Sequence, residues 1–350
     1  MNDRKLAFKG THDEIGEQVG LLYKRWHHSY SFMPPLAERY YSKQLEIYEE
    51  FYPEYLIFLS GLSKGLGLNK DKIFKFNLTI FLSLAEKIAA NQCSVFAVHN
   101  QGKVLVGRNY DWLESSEKNS KFISYKFTDR SSFNLDGISD MGTWKPGVLV
   151  DSSQFVLLLD DAWNEKGLYI GLNGGPGKKT GVGISNPHII QLITEQCETV
   201  EQALPILERI PVPNSKIFIL ADKNGNLAVV EKSIEKGTRI RTSKQLVIAT
   251  NHFINPDLAS ENSHLFQETP FHSSFARYNY LEANLAKLNG RLTFEQIGSL
   301  LDKPPILQNW RGIDKGGVLT LWTLSLNLTG NKYKIKFAPL DHNSVEINQI

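Results

Sequence analysis

The chain has 350 residues, of which 41% are hydrophobic and 22% are charged, and its formal net charge at pH 7 is +2. These values are typical of a soluble globular protein, and the length allows one large domain or two. A net charge this close to zero argues against nucleic acid or an anionic membrane as a partner. The two cysteines, Cys93 and Cys197, are too few for a disulfide framework and indicate a reducing compartment.

The beginning of the chain gives no sign of export. The first five residues are polar and lead into no apolar segment, so we predict no secretory signal and a cytoplasmic protein. The most apolar helical segment, 73–90, is interrupted by Lys75, Asn77 and Glu86 and is too polar to span a bilayer.

Residues 1–90 are predicted to be helical almost throughout. Thr11 is followed three residues later by Glu14, which is the capping-box pattern of a helix start. Gly16 and Gly20 lie on one face of that helix and would let another element approach closely. The predicted continuation is a helical region at 36–59 broken at Pro53, a loop at 61–67 and a helix at 71–90.

Strand-like patterns dominate after residue 92. The predicted strands are 93–99, 103–108, 122–127, 154–160, 167–172, 215–221, 227–232 and 245–250, with a last hairpin in 317–339. The predicted helices among them are 187–197, 200–209, 273–288 and 293–301. Two antiparallel sheets layered with helices, an α+β class, is the architecture that this order of elements favours.

The segment around Cys93 carries the first chemical signal. Cys93 opens an apolar strand, a turn at 100–102 reverses the chain, and Arg108 and Asp111 emerge where the second strand ends. Hairpin geometry should bring the sulfur close to the guanidinium and the carboxylate. A nearby cation favours the nucleophilic thiolate, although a lone cysteine at the start of a strand is more often an inert core residue.

Four further motifs follow in the second half of the chain: Gly171-Leu172-Asn173-Gly174-Gly175-Pro176-Gly177, Ala249-Thr250-Asn251-His252, Ser273-Ser274-Phe275-Ala276-Arg277 and Thr320-Leu321-Trp322-Thr323. The glycine-rich segment follows a strand but lacks the lysine and the helix start of a phosphate-binding loop. Taken singly, a strand-end asparagine and a helix-start serine are ordinary turn and cap residues.

Together with Cys93 and Gly107-Arg108-Asn109-Tyr110-Asp111-Trp112, and in this order, these motifs resemble the choloylglycine hydrolase and acyl-coenzyme A:6-aminopenicillanate acyltransferase group. That group consists of N-terminal-nucleophile enzymes. The segment from Gly10 to Gly20 is similar to the start of the pro-segment in the acyltransferase branch. The resemblance spans nearly the whole chain.

The resemblance implies an αββα four-layer sandwich made as a precursor that cuts itself between Gln92 and Cys93. Residues 1–92 would be a helical pro-segment that stays as a tightly associated chain, and 93–350 the catalytic domain. No metal or other cofactor is implied. Cleavage would free the α-amine of Cys93, whose ordinary pKa near 8 suits a general base at neutral pH.

The resemblance also assigns roles to residues. Cys93 would be nucleophile and, through its amine, base; Asp111 would orient the amine or thiol, and Arg108 would hold that carboxylate. Asn173, through its backbone N–H or its side chain, and Asn251, through its side chain, would donate to the oxyanion of the tetrahedral intermediate. Arg277 would brace the site or the substrate with the support of Ser274, while the predicted contacts to substrate are Tyr110, Trp112 and Ser274. In two departures, Gln92 stands where the acyltransferase has glycine, and Ser94 where threonine is commoner.

Three functions remain open. The first is hydrolysis of linear amides of small N-acyl compounds; the second is acyl transfer from a coenzyme A thioester to an amine. The third is a non-catalytic binding protein whose uncut segment blocks the site. Tyr110, Trp112, Trp144 and Trp163 would either wall an acyl pocket or belong to the core. A homo-oligomer is left open. His27 and His28 are adjacent and cannot present two metal ligands on one helical face.

Overall fold

The computed structural model describes residues 4–26, 38–85, 92–129, 132–140, 159–177, 179–267, 274–288, 290–312, 317–338 and 344–348. The helices in these ranges are α1 (His12–Trp26), α2 (Tyr41–Phe51), α3 (Pro53–Leu66), α4 (Lys70–Ala85), α5 (Asn186–Gln196), α6 (Val200–Arg209), α7 (Ser274–Leu288) and α8 (Phe294–Leu301). The strands are β1 (Lys5–Gly10), β2 (Gln92–Asn100), β3 (Lys103–Leu113), β4 (Ser120–Phe127), β5 (Leu135–Asp140), β6 (Asp161–Asn164), β7 (Leu168–Gly174), β8 (Lys216–Asp222), β9 (Leu227–Ser233), β10 (Gly237–Ser243), β11 (Leu246–Ala249), β12 (Asn309–Trp310), β13 (Val318–Asn327), β14 (Lys332–Phe337) and β15 (Ser344–Asn348).

The strands form two sheets. The first has the order β1-β4-β5-β6-β7-β8-β9-β10, and the second the order β11-β2-β3-β13-β14-β15, with β12 paired to β13. Every pair is antiparallel except β1 with β4. The prediction of two largely antiparallel sheets is therefore confirmed.

Three hydrophobic cores separate four layers. One core joins helices α1 to α6 to the first sheet, and a second lies between the two sheets. The third joins the second sheet to α7 and α8. The layer order is thus helices, sheet, sheet, helices, which confirms the predicted αββα sandwich.

Residues 1–90 were predicted to be helical almost throughout, but the structure begins this segment with the strand β1. β1 runs parallel to β4, with Lys5 opposite Phe122. Phe8 is buried in the first core, whereas its neighbours Ala7 and Lys9 are more exposed. Six residues are too few for this alternation to stand out from a helical pattern, so the partner strand decides the conformation.

The predicted loop at 61–67 is also wrong, because α3 continues to Leu66. Gly61 and Gly65 lie against Gly16 and Gly20 of α1, as the predicted close approach requires. An added Cβ would lie 2.0 Å from the Phe58 carbonyl oxygen at Gly16 and 1.8 Å from the Asp13 carbonyl oxygen at Gly61. Glycine is therefore needed for the contact of the two helices rather than for a turn.

The remaining predictions differ mainly at the ends of elements. The capping box is confirmed, since Thr11 N donates to Glu14 Oε2 at 2.8 Å and Glu14 N to Thr11 Oγ1 at 3.3 Å. Helices α5 to α8 begin and end within one residue of their predicted bounds. Besides β1, the strands β5, β6, β10, β12 and β15 were not predicted. The predicted strand at 154–160 and the end of the predicted helix at 71–90 fall largely outside the described residues.

Candidate active site

Cys93 lies near the beginning of β2, opposite Tyr110 of β3, and its side chain is fully buried between the sheets. Each of its polar groups contacts a different residue. The backbone N–H donates to Asn251 Oδ1 at 2.9 Å, and the carbonyl oxygen accepts from Arg277 Nη1 at 2.5 Å. The sulfur lies 3.4 Å from Arg108 Nη2. The hairpin thus brings Arg108 to the sulfur, as predicted.

The expected thiolate, however, is not favoured in this uncut chain. Burial raises the pKa of the Cys93 thiol to about 12, because a charged sulfur would lose its solvation. The positive charge of Arg108 acts in the opposite direction but is outweighed, and the charges of Asp111 and Asp161 raise the pKa further. A neutral thiol therefore needs a base before it can attack.

Arg108 was predicted to hold the carboxylate of Asp111. In the structure it holds the carboxylate of Asp161 instead. Arg108 Nε lies 2.7 Å from Asp161 Oδ2, and both side chains are fully buried. Nη1 donates to Asn173 Oδ1 at 2.7 Å, and Nη2 donates to the Leu172 carbonyl oxygen at 2.6 Å. Burial lowers the pKa of Arg108, but the charge of Asp161 together with smaller contributions from Cys93, Tyr169 and Asp160 outweighs this effect, so the net shift is upward and the guanidinium stays charged.

Asp161 is the residue of the site that sequence reasoning missed. Tyr169 OH donates to its Oδ1 at 2.6 Å, and Trp322 Nε1 donates to its Oδ2 at 2.9 Å. The pair Asp160-Asp161 resembles a surface turn in the sequence. One feature of the sequence could have identified it: the pair follows directly on an apolar run, which predicts burial. A buried acid requires a partner of opposite charge or a hydrogen-bond donor.

Asp111 lies at the far end of the same hairpin, opposite Gln92. Thr320 Oγ1 donates to its Oδ1 at 2.6 Å, whereas Oδ2 is buried and has no hydrogen-bond partner among the described residues. Burial raises the pKa of this carboxyl to about 7, against the lowering effects of Arg277, Thr320 and Arg108. A carboxyl group with one free oxygen and a pKa near neutrality can accept or return a proton.

Of the two asparagines, Asn173 does not have its side chain free for the predicted role of oxyanion donor. Both amide hydrogens of Asn173 are directed to backbone oxygens, since Nδ2 lies 3.2 Å from Ala249 O and 2.9 Å from Thr250 O. Its side chain therefore has no hydrogen left for an oxyanion. Asn251 Nδ2 donates to Gly174 O at 3.0 Å, and Oδ1 accepts from Cys93 N and from Arg277 Nη2.

Arg277 braces the nucleophile directly. Besides the Cys93 carbonyl oxygen, its Nη1 contacts Ser94 Oγ at 2.9 Å, and its Nη2 donates to Asn251 Oδ1 at 2.8 Å. Arg277 and Ser274 both lie in the first turn of α7, and both are buried. Ser274 Oγ accepts from Asn251 N at 2.8 Å, so it supports Asn251.

The aromatic residues predicted to contact substrate lie largely within the core. The Tyr110 ring stacks on that of Trp322 with centroids 3.9 Å apart, and both are buried. Trp163 is fully buried in the core between the sheets, whereas Trp112 is partly exposed. Trp144, His27 and His28 fall outside the described residues.

The second cysteine is separate from this site. Cys197 follows α5 in the core between the helices and the first sheet, and burial raises the pKa of its thiol to about 12. Over the described ranges, no group of three or more His, Cys, Asp or Glu residues could hold a metal ion. No helix in these ranges is long and apolar enough to cross a membrane.

A family model for acyl-coenzyme A:6-aminopenicillanic acid acyl-transferase matches residues 98–339. The chain belongs to this family. The match covers most of the chain and begins after Cys93, so it includes the motifs of Arg108, Asn173, Asn251 and Arg277. The chain is accordingly an enzyme of the amide-hydrolysing or acyl-transferring type. A comparison with curated proteins gives no match.

The chain is also similar to solved structures of two hydrolases. A variant of conjugated bile acid hydrolase from Clostridium perfringens is 15% identical, with a TM-score of 0.51 over 73% of this chain and 92% of that one. Penicillin V acylase from Agrobacterium tumefaciens is 15% identical, with a TM-score of 0.48 over 70% of this chain and 83% of that one. At such identities, the likeness to the bile acid hydrolase establishes the N-terminal-nucleophile hydrolase fold alone.

Proposed function

We propose that this member of the acyltransferase family is a self-processing cysteine amidohydrolase that cleaves linear amides of small N-acyl compounds through an acyl-enzyme on Cys93. The observation that carries the proposal is the set of contacts around one residue. The nitrogen, sulfur and carbonyl oxygen of Cys93 contact Asn251, Arg108 and Arg277, respectively. An inert core cysteine in a strand needs no guanidinium at its sulfur, and the backbone pairing of the sheet is enough for its N–H and carbonyl oxygen.

Self-cleavage begins with the neutral thiol. Asp111 Oδ2, which has no hydrogen-bond partner among the described residues, is the base that we assign to the first proton transfer. The sulfur attacks the carbonyl carbon of Gln92, the carbon–nitrogen bond breaks, and the nitrogen takes the proton from Asp111 and leaves as the α-amine of Cys93. Water then hydrolyses the thioester to give the carboxylate of Gln92 and the free thiol.

The mature site uses the same atoms on a substrate. The new amine keeps Asn251 Oδ1 as its acceptor and takes the thiol proton as general base. The sulfur attacks the acyl carbon of the substrate, and the amine of the substrate leaves with that proton. Water then releases the acid from the thioester on Cys93, or a second amine takes the acyl group.

Only one of the two asparagine side chains keeps a hydrogen for the oxyanion. The side chain of Asn173 has none left, because both hydrogens are donated to backbone oxygens. We therefore assign the oxyanion to Asn251, whose Nδ2 has a second hydrogen besides the one donated to Gly174 O. Asn173 instead accepts from Arg108 and orients it.

Residues 1–92 are proposed as a pro-segment that remains bound after the cut. β1 pairs with β4, and Gln44 of α2 exchanges hydrogen bonds with the backbone of Gly183 at 2.7 and 3.1 Å. Tyr48 OH lies 2.7 Å from His188 Nδ1 of α5. Helices α1 to α4 also supply much of the first hydrophobic core. Losing this segment would expose that core, so it should stay as a second chain.

Intact mass and a denaturing gel of the purified protein test self-processing. We expect two fragments, one ending at Gln92 and one beginning at Cys93. A chain that stays whole and inactive would support the alternative function, a non-catalytic binding protein. In such an uncut chain Cys93 would remain fully buried, as it is in this structure, and could not reach a substrate.

Product analysis separates hydrolysis from acyl transfer. The cut enzyme is incubated with an N-acyl amide alone, and in parallel with an acyl-coenzyme A and a small amine. We expect free acid from the first mixture. Product amide from the second mixture, with no acid from the first, would make the thioester the main acyl donor.

A further inference from the structure

Three polar side chains surround the backbone of Asn251. Thr250 and His252 are its neighbours in the chain, and Ser274 is the first residue of α7. Ser274 Oγ lies 2.7 Å from His252 Nδ1 and 3.0 Å from Thr250 Oγ1, and it accepts from Asn251 N at 2.8 Å. All four residues are buried.

The hydrogens of this cluster can be assigned from the acceptors. Thr250 Oγ1 lies 3.1 Å from the Ser274 carbonyl oxygen and 3.1 Å from His252 Nδ1, and we assign its single hydrogen to the carbonyl oxygen. The Ser274 hydroxyl can donate to Thr250 Oγ1 at 3.0 Å or to His252 Nδ1 at 2.7 Å, and we assign its hydrogen to the closer of these two acceptors, His252 Nδ1. This assignment requires a neutral imidazole that carries its proton on Nε2. Burial, with the charges of Arg277 and Arg241, lowers the pKa of His252 to about 4, which agrees with it.

The orientation of the serine hydroxyl affects Asn251. When the hydroxyl hydrogen points to His252, a lone pair of Oγ faces the Asn251 N–H and accepts from it. This fixes the end of β11 from which the Asn251 side chain reaches Cys93 N. Without an acceptor at Nδ1, the hydroxyl keeps only the longer contact to Thr250 Oγ1, and its hydrogen can more easily rotate to oppose the Asn251 N–H.

We infer that His252 is a positioning residue, whose Nδ1 orients the Ser274 hydroxyl and thereby holds Asn251 against the backbone nitrogen of Cys93. The inference rests on the proposed function, because that nitrogen is the atom released in self-cleavage and the base in turnover. The competing role is packing alone, since the His252 ring stacks on Phe275 with centroids 4.0 Å apart.

Two substitutions separate the hydrogen bond from the packing. His252→Phe keeps a ring for the stack on Phe275 but has no acceptor, whereas His252→Asn loses the ring but can place an oxygen near the position of Nδ1. We expect His252→Phe to lower the rate of self-cleavage and kcat by about tenfold, with KM little changed. His252→Asn should stay within about threefold of the wild type in both rates.

Ser274→Ala is the second test, because it removes the hydroxyl itself and should match His252→Phe in its rate losses. Combining the two should cost no more than either alone, since both remove one interaction. Phe275→Leu is the packing control and should lower the thermal unfolding midpoint while leaving kcat near the wild-type value. Unfolding midpoints of all variants show whether a lost rate reflects lost fold.

The outcomes are distinct. Wild-type rates in His252→Phe, or a larger loss in His252→Asn than in His252→Phe, would overturn the inference and leave the proposed function intact. If His252→Phe does not fold, the test passes to Ser274→Ala, and a wild-type kcat in that variant would overturn the inference about His252. A wild-type protein that neither cuts itself nor hydrolyses an amide would overturn the proposed function, and the inference with it.

Discussion

Arg108 and Asp161 form an ion pair in which Nε lies 2.7 Å from Oδ2 and both side chains have no exposed surface. The pair joins β3 of the second sheet to β6 of the first, directly behind the Cys93 sulfur. Arg108 can face the sulfur because Asp161 supplies its counter-charge in the interior. The site is thus built on a contact between the two sheets.

Asp161→Asn tests this contact. Tyr169 OH can turn from donor to acceptor, so the amide fits, but Arg108 is left without its counter-charge. We expect the free energy of unfolding to fall by about 3–5 kcal/mol, as for other broken buried ion pairs. Because Asp161 raises the pKa of Cys93, its loss should also move the pH profile of self-cleavage to lower pH.

The control for Asp161→Asn is Asp136→Asn, in β5 of the same sheet. Asp136 is half-buried and accepts from Ser124 Oγ at 2.5 Å, but it forms no ion pair with a described residue. This change should leave the pH profile in place. A shift of equal size in both variants would mean that Arg108 does not depend on Asp161.

Cys93→Ala should give a folded, full-length chain without amidase activity, because the sulfur is the only nucleophile proposed for cutting and for turnover. Mass spectrometry and an amide hydrolysis assay measure both losses. Cys197→Ala is the matched control, since that buried cysteine contacts no part of the site and should be dispensable. Appreciable hydrolysis by Cys93→Ala would exclude the mechanism.

Asp111→Asn should slow both self-cleavage and turnover by about 10²-fold, the scale of a positioned acid or base. The amide keeps the size of the side chain but cannot take the thiol proton. Thr320→Val removes the hydroxyl that orients Asp111 and should cost less, about tenfold. Single-turnover cleavage of freshly refolded precursor measures the first step. Near-normal kinetics for Asp111→Asn would remove this residue from the site.

His12 should make the attachment of the N-terminal segment depend on pH. Its Nδ1 lies 2.6 Å from Asp129 Oδ2 and its Nε2 lies 3.1 Å from Glu195 Oε2. Burial lowers the pKa of His12, but hydrogen bonds and charge from Glu195 and Asp129 outweigh it, so the net shift is upward. The stabilisation is therefore complete below the unfolded pKa of about 6.5 and is lost as pH rises through the folded pKa.

The measurement is the free energy of unfolding of uncut Cys93→Ala chains between pH 6 and 9, with His12 and with His12→Gln. Burial, with a smaller contribution from the charge of Glu195, raises the pKa of the nearby Tyr52 and Tyr125 hydroxyls, and both tyrosines are present in both chains. The difference in stability between the two chains should shrink toward pH 9. A difference that is constant with pH would mean that His12 is not charged in the folded protein.

Local sequence determined the parts of this protein that depend on near neighbours. The hairpin of β2 and β3, which brings Arg108 to Cys93, follows from two apolar runs and a short turn. The capping box of α1 and the ends of α5 to α8 follow from cap residues and periodicity. The motifs indicated the family because they are spread along nearly the whole chain and occur in the order that the family has.

The tertiary structure alone decided which groups are paired and how they ionise. Asp161 reaches Arg108 only because the two sheets stack, and the carbonyl oxygens of β11 and the residue after it take both amide hydrogens of Asn173. The pKa of Cys93 rises because desolvation, summed over all the atoms that exclude water, exceeds the effect of one nearby cation. The partner of a buried charge and the extent of its desolvation cannot be derived from residues adjacent in the sequence, because both depend on residues that only the folded chain brings together.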